Sequence, residues 1–378
     1  MRQIGNPFIV KGYVSKAYFC DREKEMEVLQ TNLKNGLNTT LISHRRMGKT
    51  GLIHCLFESL SSDKTVVAIY VDIYASQSLS DFISLTTEAI LKKFPEKTSY
   101  GKKFFQFIKG LRPTISFDSI TGDPQVSILY QSNQQQEQTL KSLLEFIDGQ
   151  GVQVLMAIDE FQQINEYPEK NVEALLRTYT QQLHNIRFIF SGSKQSMMID
   201  MFSNAKRPFY SSTKFLSLGF IERGEYSKFI KENFLEYNKE ITSDAIEFIL
   251  DWTKVYTFYT QSVCNAVFAT GSKHVDVELV KKCCADILKG YEDIYFQYRQ
   301  LVTPNQWNFL IAIAKEDRVS LITAQDFILR YSIGTPANAR RLNKSLMEKE
   351  LILRMSDKNK DSYQLYDVFF SRWLASEF

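Results

Sequence analysis

Thr40–Leu41–Ile42–Ser43–His44–Arg45–Arg46–Met47–Gly48–Lys49–Thr50 is the stretch on which the reading of this chain turns. The apolar run at its start predicts a strand, and Leu52, Ile53, Leu56, Phe57 and Leu60 beyond it recur at helical spacing. A Gly-Lys-Thr that follows a strand and opens a helix sets backbone N–H groups and a helix N-terminus where anionic phosphate oxygens bind. In the pattern G-x-x-x-x-G-K-[ST], Gly48, Lys49 and Thr50 fill the last three positions and Ser43 stands in the first. Lys49 would reach the β- and γ-phosphates of a nucleotide, and the Thr50 hydroxyl would ligate Mg²⁺.

Working outward, the most apolar strand candidate, Val152–Gln153–Val154–Leu155–Met156–Ala157–Ile158, ends on Asp159–Glu160. A carboxylate pair at the end of a buried strand needs a partner, because an unpaired buried charge is costly. A metal supplies one: Asp159 would hold Mg²⁺ through water, and Glu160 would be the base that polarises an attacking water. Between the two motifs, Val66–Asp72 reads as a buried parallel strand and 79–94 as a helix, while 111–129 alternates around Gly122–Asp123 and reads as an inserted hairpin. Helix 134–148 precedes the Asp-Glu strand. Helix 170–184 follows it and leads to strand 186–190, which closes on Ser191–Gly192–Ser193; a last strand fits near 214–218. Strands alternating with helices predict an α/β parallel sheet with its sites at the carboxyl ends of the strands. Neither Asn-Lys-x-Asp nor G-x-G-x-x-G occurs, which disfavours GTPases and dinucleotide dehydrogenases.

Composition agrees. The 378 residues predict two or three domains. The 16 glycines and 8 prolines are roughly half the ordinary share, which argues against turn-dense all-β and low-complexity chains. A net charge of +3 says little about partners, so any nucleic-acid footprint must be local. No run of 18 apolar residues and no charged leader with an apolar stretch occurs, which predicts a cytoplasmic protein without a membrane span. The five cysteines show no C-x-x-C pair and are expected to be reduced and buried.

The sequence resembles the archaeal-type ATPases of the AAA+/STAND group, over essentially its full length. The resemblance is carried by Asn6–Pro7–Phe8, Phe19–Cys20–Asp21–Arg22–Glu23–Lys24–Glu25, Arg45–Arg46–Met47–Gly48–Lys49–Thr50, Tyr70–Val71–Asp72, Ile158–Asp159–Glu160–Phe161–Gln162, Phe190–Ser191–Gly192–Ser193, Arg207–Pro208–Phe209–Tyr210 and Asp367–Val368–Phe369–Phe370–Ser371–Arg372–Trp373–Leu374. It implies a P-loop NTPase fold with ATP and Mg²⁺ as cofactors. Ser43, His44, Arg45, Arg46, Met47, Gly48, Lys49, Thr50 and Gly51 would form the nucleotide loop (Walker A), with Asp159 and Glu160 as Walker B. Arg22 would lie beside the adenine, and Ser193 would sense the γ-phosphate. Arg207 would either contact phosphate or cap a helix. Ser43, where the family often has glycine, and Val255, where its lid has glycine, depart from the pattern. Together they predict nucleotide binding with weak hydrolysis.

This division gives an ATPase core over 1–220, a helical lid over 221–298 and a winged helix-turn-helix over 299–378. In the last, Thr303–Pro304 starts one helix, 323–330 is a second, and Thr335–Pro336 opens a third with Ala337, Ala339, Leu342, Leu346 and Met347 inward. Leu351–Arg354 and Tyr363–Leu365, around 357–361, form the wing. Arg340, Arg341 and Lys344 face outward as candidate DNA contacts. Twelve basic against nine acidic residues over 299–378 leave a protein-interaction role open.

Overall fold

The computed structural model describes residues 5–94, 98–111, 113–357 and 360–378. Contacts divide it into two compact units, Lys11–Ile221 and Glu222–Phe378, the stretch ending at Val10 belonging with the second.

In the first unit, α1 (Glu23–Lys34) precedes β1 (Thr39–Ile42), and α2 (Lys49–Leu60) leads to β2 (Val66–Asp72). Next come α3 (Leu79–Lys93), α4 (Ser99–Lys109) and the hairpin β3 (Thr114–Phe117) and β4 (Pro124–Ser127). Then α5 (Asn133–Asp148), β5 (Gln153–Asp159), α6 (Val172–Gln182), β6 (Ile186–Gly192), α7 (Gln195–Ser203) and β7 (Lys214–Ser217) complete the unit. The five long-range strands form a parallel sheet in the order β2-β5-β6-β1-β7. The centre of this order follows from the apolar runs: every residue of β1 is buried, as is every residue of β5 after Gln153. Because β6 lies between β1 and β5, the loops that follow these three strands meet at one edge of the sheet.

Two expectations are corrected. β6 runs to Gly192 rather than stopping at Phe190, because Ser191 and Gly192 pair with Leu41 and Ile42. Helix α4 was not expected; Phe104, Phe105, Phe107 and Ile108 are nearly contiguous and blur a helical period, but Thr98 caps it by accepting from Gly101 N–H. Arg112 of the expected hairpin span lies outside the described residues.

The second unit starts with α8 (Arg223–Glu236), α9 (Ser243–Trp252), α10 (Thr257–Ala269) and α11 (Val277–Tyr298). It is not helical throughout, since a short parallel pair, β8 (Glu240–Ile241) and β9 (His274–Val275), ties α9 to α11. Phe8 packs into these helices, 5.2 Å from the ring of Phe234. The winged helix comprises α12 (Pro304–Lys315), α13 (Gln325–Arg330), α14 (Pro336–Glu348), β10 (Ile352–Asp357), β11 (Lys360–Leu365) and α15 (Val368–Glu377). A full capping box of Thr303 and Gln306 opens α12. Ala339, Leu342 and Leu346 face inward as expected, whereas Ala337 is exposed and Asn343 is buried. The wing tip at Lys358–Asn359 lies outside the described residues. All five cysteines are buried thiols.

Candidate nucleotide site

The loop between β1 and α2 turns on two left-handed residues, Arg46 (φ 68°) and Gly48 (φ 92°). Gly48 is the N-cap of α2 and supplies no side-chain cap, so the first-turn N–H groups of the helix are left for an external acceptor. Ser43 is fully buried and its Oγ donates to the His44 carbonyl at 2.8 Å. Its backbone lies outside the left-handed region, so the conformation here does not demand glycine. Gly51 is needed for space: a Cβ there would lie 2.9 Å from the Phe19 ring.

Lys49 is only 7% exposed, and among the described residues no carboxylate forms an ion pair with it. Burial pushes its ammonium below the ordinary lysine value; Asp159 and Glu160 pull the other way, and Arg45 adds to the depression. Burial and the Lys49 charge together lower His44 as well. A lysine buried to this extent, with no carboxylate ion pair and beside open helical N–H groups, suits an anion.

Across the sheet edge, Asp159 is buried and takes three donors. Thr50 Oγ1 donates to its Oδ2 at 2.9 Å, Tyr70 OH donates to the same oxygen at 2.7 Å, and the Glu160 N–H donates to Oδ1 at 3.0 Å. Thr50 and Asp159, which sequence reasoning paired as metal-holding residues, therefore touch. Glu160 sits in the left-handed region (φ 55°), a strained conformation for a non-glycine residue that turns the chain sharply off β5. Ser193 Oγ donates to Glu160 Oε2 at 2.7 Å, Gln162 Nε2 donates to the same oxygen, and Arg45 Nε approaches Ser193 Oγ at 3.4 Å. Residues from all three loops thus form one network.

Beneath it, Phe161, Phe190, Phe202 and Phe209 pack with ring centroids 4.5 to 5.8 Å apart and hold the ends of β5 and β6 rigid. Gly192 permits the close approach: a Cβ would fall 2.3 Å from Gln162 Oε1 and 2.6 Å from Met198.

Arg22 and Arg207 each have partners within the protein. Arg22, 3% exposed and itself left-handed (φ 82°), pairs with Glu25 at 2.9 Å and donates to the carbonyls of Gly219 at 2.8 Å and Met47 at 3.5 Å. It ties the β1–α2 loop at Met47 to the stretch after β7 at Gly219. Arg207 is held by Glu173 at 2.7 Å, Asn165 at 2.6 Å and Asp200 at 3.6 Å. In the second unit, Val255 has φ 59°, a conformation that glycine adopts freely and a β-branched residue only under strain of about 1–3 kcal/mol. Arg340, Arg341 and Lys344 are exposed on α14.

Sequence reasoning missed Tyr70. It lies in a continuous apolar run and read as core; its contact with Asp159 depends on the pairing of β2 with β5, in which Asp72 lies opposite Asp159.

Comparison with known proteins agrees with this geometry. Residues 19–257 match the family described as ATPase domain predominantly from Archaea, and residues 293–376 match a probable winged helix domain. The structure is similar to that of the Walker-type ATPase PABY2304 of Pyrococcus abyssi, with 18% identity, a TM-score of 0.66 and coverage of 97% of this chain and 99% of that one. It is also similar to the ORC2 protein of Aeropyrum pernix in ADPNP–ADP complexes, with 16% identity, a TM-score of 0.59 and coverage of 94% and 92%. At these identities the likeness is one of fold. No curated protein matches by sequence. Among the described residues no helix is long and apolar enough to cross a membrane.

Proposed function

The chain belongs to the family of ATPase domains found predominantly in Archaea, followed by a winged helix, and on that premise we propose that it binds ATP with Mg²⁺ and acts as a nucleotide-dependent switch with slow hydrolysis. The observation that carries this reading is Lys49, buried and without a carboxylate ion pair among the described residues, at the start of a helix whose first N–H groups have no side-chain cap. A triphosphate answers both needs.

The donor set also suits Mg²⁺. This hard cation takes one or two protein oxygens alongside phosphates rather than an all-protein cage, and among the described residues no cluster of three or more metal-ligating side chains occurs. Thr50 and Asp159 would hold it. When bound, nucleotide and metal supply an electrophilic phosphorus. Glu160 would take the proton of the attacking water, Ser193 would sit at the γ-phosphate, and Lys49 would neutralise charge on the transferred group.

Slow turnover follows from the state of Glu160. Its Oε2 accepts from both Ser193 and Gln162, so two donors tether the carboxylate and it would meet the water through Oε1 alone unless it releases them. Arg22 acts in this reading by stiffening the loop. Arg207 would reach phosphate only by leaving Glu173.

Steady-state phosphate release tests the proposal. The wild type should turn over ATP slowly in Mg²⁺, and Glu160→Gln should abolish turnover while ATP still binds. Equal turnover in both proteins would remove Glu160 from the mechanism. Through the exposed Arg340, Arg341 and Lys344, the winged helix would meet DNA or a protein partner.

A further inference from the structure

A row of rings runs along α2 and ends on the carboxylate that would hold the metal. Phe19 and Tyr13 have centroids 5.9 Å apart, Tyr13 stacks on His54 at 6.2 Å and 23°, and His54 lies 4.8 Å from Tyr70, whose hydroxyl donates to Asp159 Oδ2 at 2.7 Å. We propose that Tyr70, held in place by His54, is a positioning residue for the metal-binding carboxylate and sets how tightly the nucleotide site takes its divalent cation.

The argument starts from what Asp159 must do. A carboxylate that serves a cation through water has to present a fixed oxygen, and its free rotamers would dilute that presentation. The Glu160 N–H fixes Oδ1. Oδ2 has two donors, and they are not equivalent. Thr50 Oγ1 is the hydroxyl that would turn a lone pair to the cation while its proton stays directed at Asp159, so its placement answers to the metal as well as to the carboxylate. The Tyr70 hydroxyl reaches Asp159 from β2, on the other side, and has no such second task. It is the donor on Oδ2 whose position is set by the protein alone.

Tyr70 is also poorly placed to move. His54 on α2 covers its ring. Outer partners that orient a metal-binding carboxylate commonly change metal affinity by about 10- to 100-fold when removed.

This inference rests on the ATP·Mg²⁺ reading above, and the test separates the two. Binding of a non-hydrolysable ATP analogue to the full chain is titrated calorimetrically in EDTA and across Mg²⁺ concentrations, for wild type, Tyr70→Phe and Tyr167→Phe. Tyr167 has a hydroxyl paired with Ser76 and serves as a control for losing a buried phenol oxygen away from Asp159. Electron paramagnetic resonance of bound Mn²⁺ supplies a second readout.

In Tyr70→Phe the EDTA affinity should stay within about twofold of wild type, the Mg²⁺ concentration for half-saturation should rise about 10-fold or more, and the Mn²⁺ spectrum should broaden. Tyr167→Phe should leave all three unchanged. Equal Mg²⁺ dependence in Tyr70→Phe and wild type overturns the inference alone. So does an equal loss with and without metal, which would make Tyr70 a structural residue. A wild type that binds the analogue with no Mg²⁺ dependence overturns this inference and the metal part of the functional reading together.

Discussion

Replacing Lys49 by methionine should make the protein more stable and blind to ATP at once. Lys49 is 7% exposed and has no ion pair among the described residues, and burial holds its ammonium below the ordinary lysine value. Methionine has nearly the same length and keeps the packing while removing the buried charge. Exchanging buried charge for well-packed apolar atoms typically gains about 1–4 kcal/mol; taking about 2 kcal/mol, the transition of the Lys11–Ile221 unit should rise by roughly 4–8 °C. ATP·Mg²⁺ at 100 times its Kd should add about 2.7 kcal/mol to the wild type and nothing to Lys49→Met. Differential scanning calorimetry with and without ligand reads both quantities.

The pH dependence carries a sign. The folded-state pKa of Lys49 lies below its unfolded value, so in the window between them the unfolded chain binds more protons and wild-type stability rises with pH. The gap between wild type and Lys49→Met should therefore narrow as pH climbs toward the ordinary lysine range. A variant that melts at or below the wild type, or one that keeps the ATP-induced rise, refutes the reasoning, because a structural lysine would move the first quantity down and a phosphate-binding lysine cannot leave the second untouched.

Removing one donor from Glu160 with Gln162→Ala should raise kcat about threefold to tenfold, a fraction of the roughly 1.5–3 kcal/mol of a bond to a charged group; a fall in kcat would mean Gln162 assists the reaction rather than restrains it. Gly192→Ala forces a Cβ into Gln162 and Met198 and should cost about 1–3 kcal/mol, read as a drop in midpoint by urea unfolding; an unchanged midpoint would show that the strand end is not tightly packed. If the winged helix meets duplex DNA, its affinity should fall steeply with salt, and Arg340→Ala with Arg341→Ala should flatten that slope by about two charges; a flat wild-type response leaves a protein as the partner.

Much of the fold is legible in the amino-acid sequence, and the exceptions share a cause. The continuous apolar runs at Val66–Val71 and Val152–Ile158 announce buried parallel strands because both of their faces are covered. Gly48, Lys49, Thr50, Asp159 and Glu160 announce themselves because few other tasks need those residue types at strand ends. Periodicity reports a face and not a neighbour. Tyr70 therefore looked like core, although the β2–β5 pairing carries its hydroxyl to Asp159. Arg22 matched a motif, but its left-handed backbone and its bonds to Met47 and Gly219 follow from tertiary packing. Ser43 and Val255 occupy comparable departures from the family pattern with unlike consequences. Ser43 has an ordinary backbone, whereas Val255 is held where glycine would be relaxed.

The central claim is that Lys49 and its loop bind a nucleotide triphosphate. Isothermal titration of ATP with Mg²⁺ into wild type and into Lys49→Ala tests it most directly. Saturable one-site binding in the wild type and its loss in Lys49→Ala is the predicted result; no heat of binding in the wild type, or equal affinity in the two proteins, would contradict it.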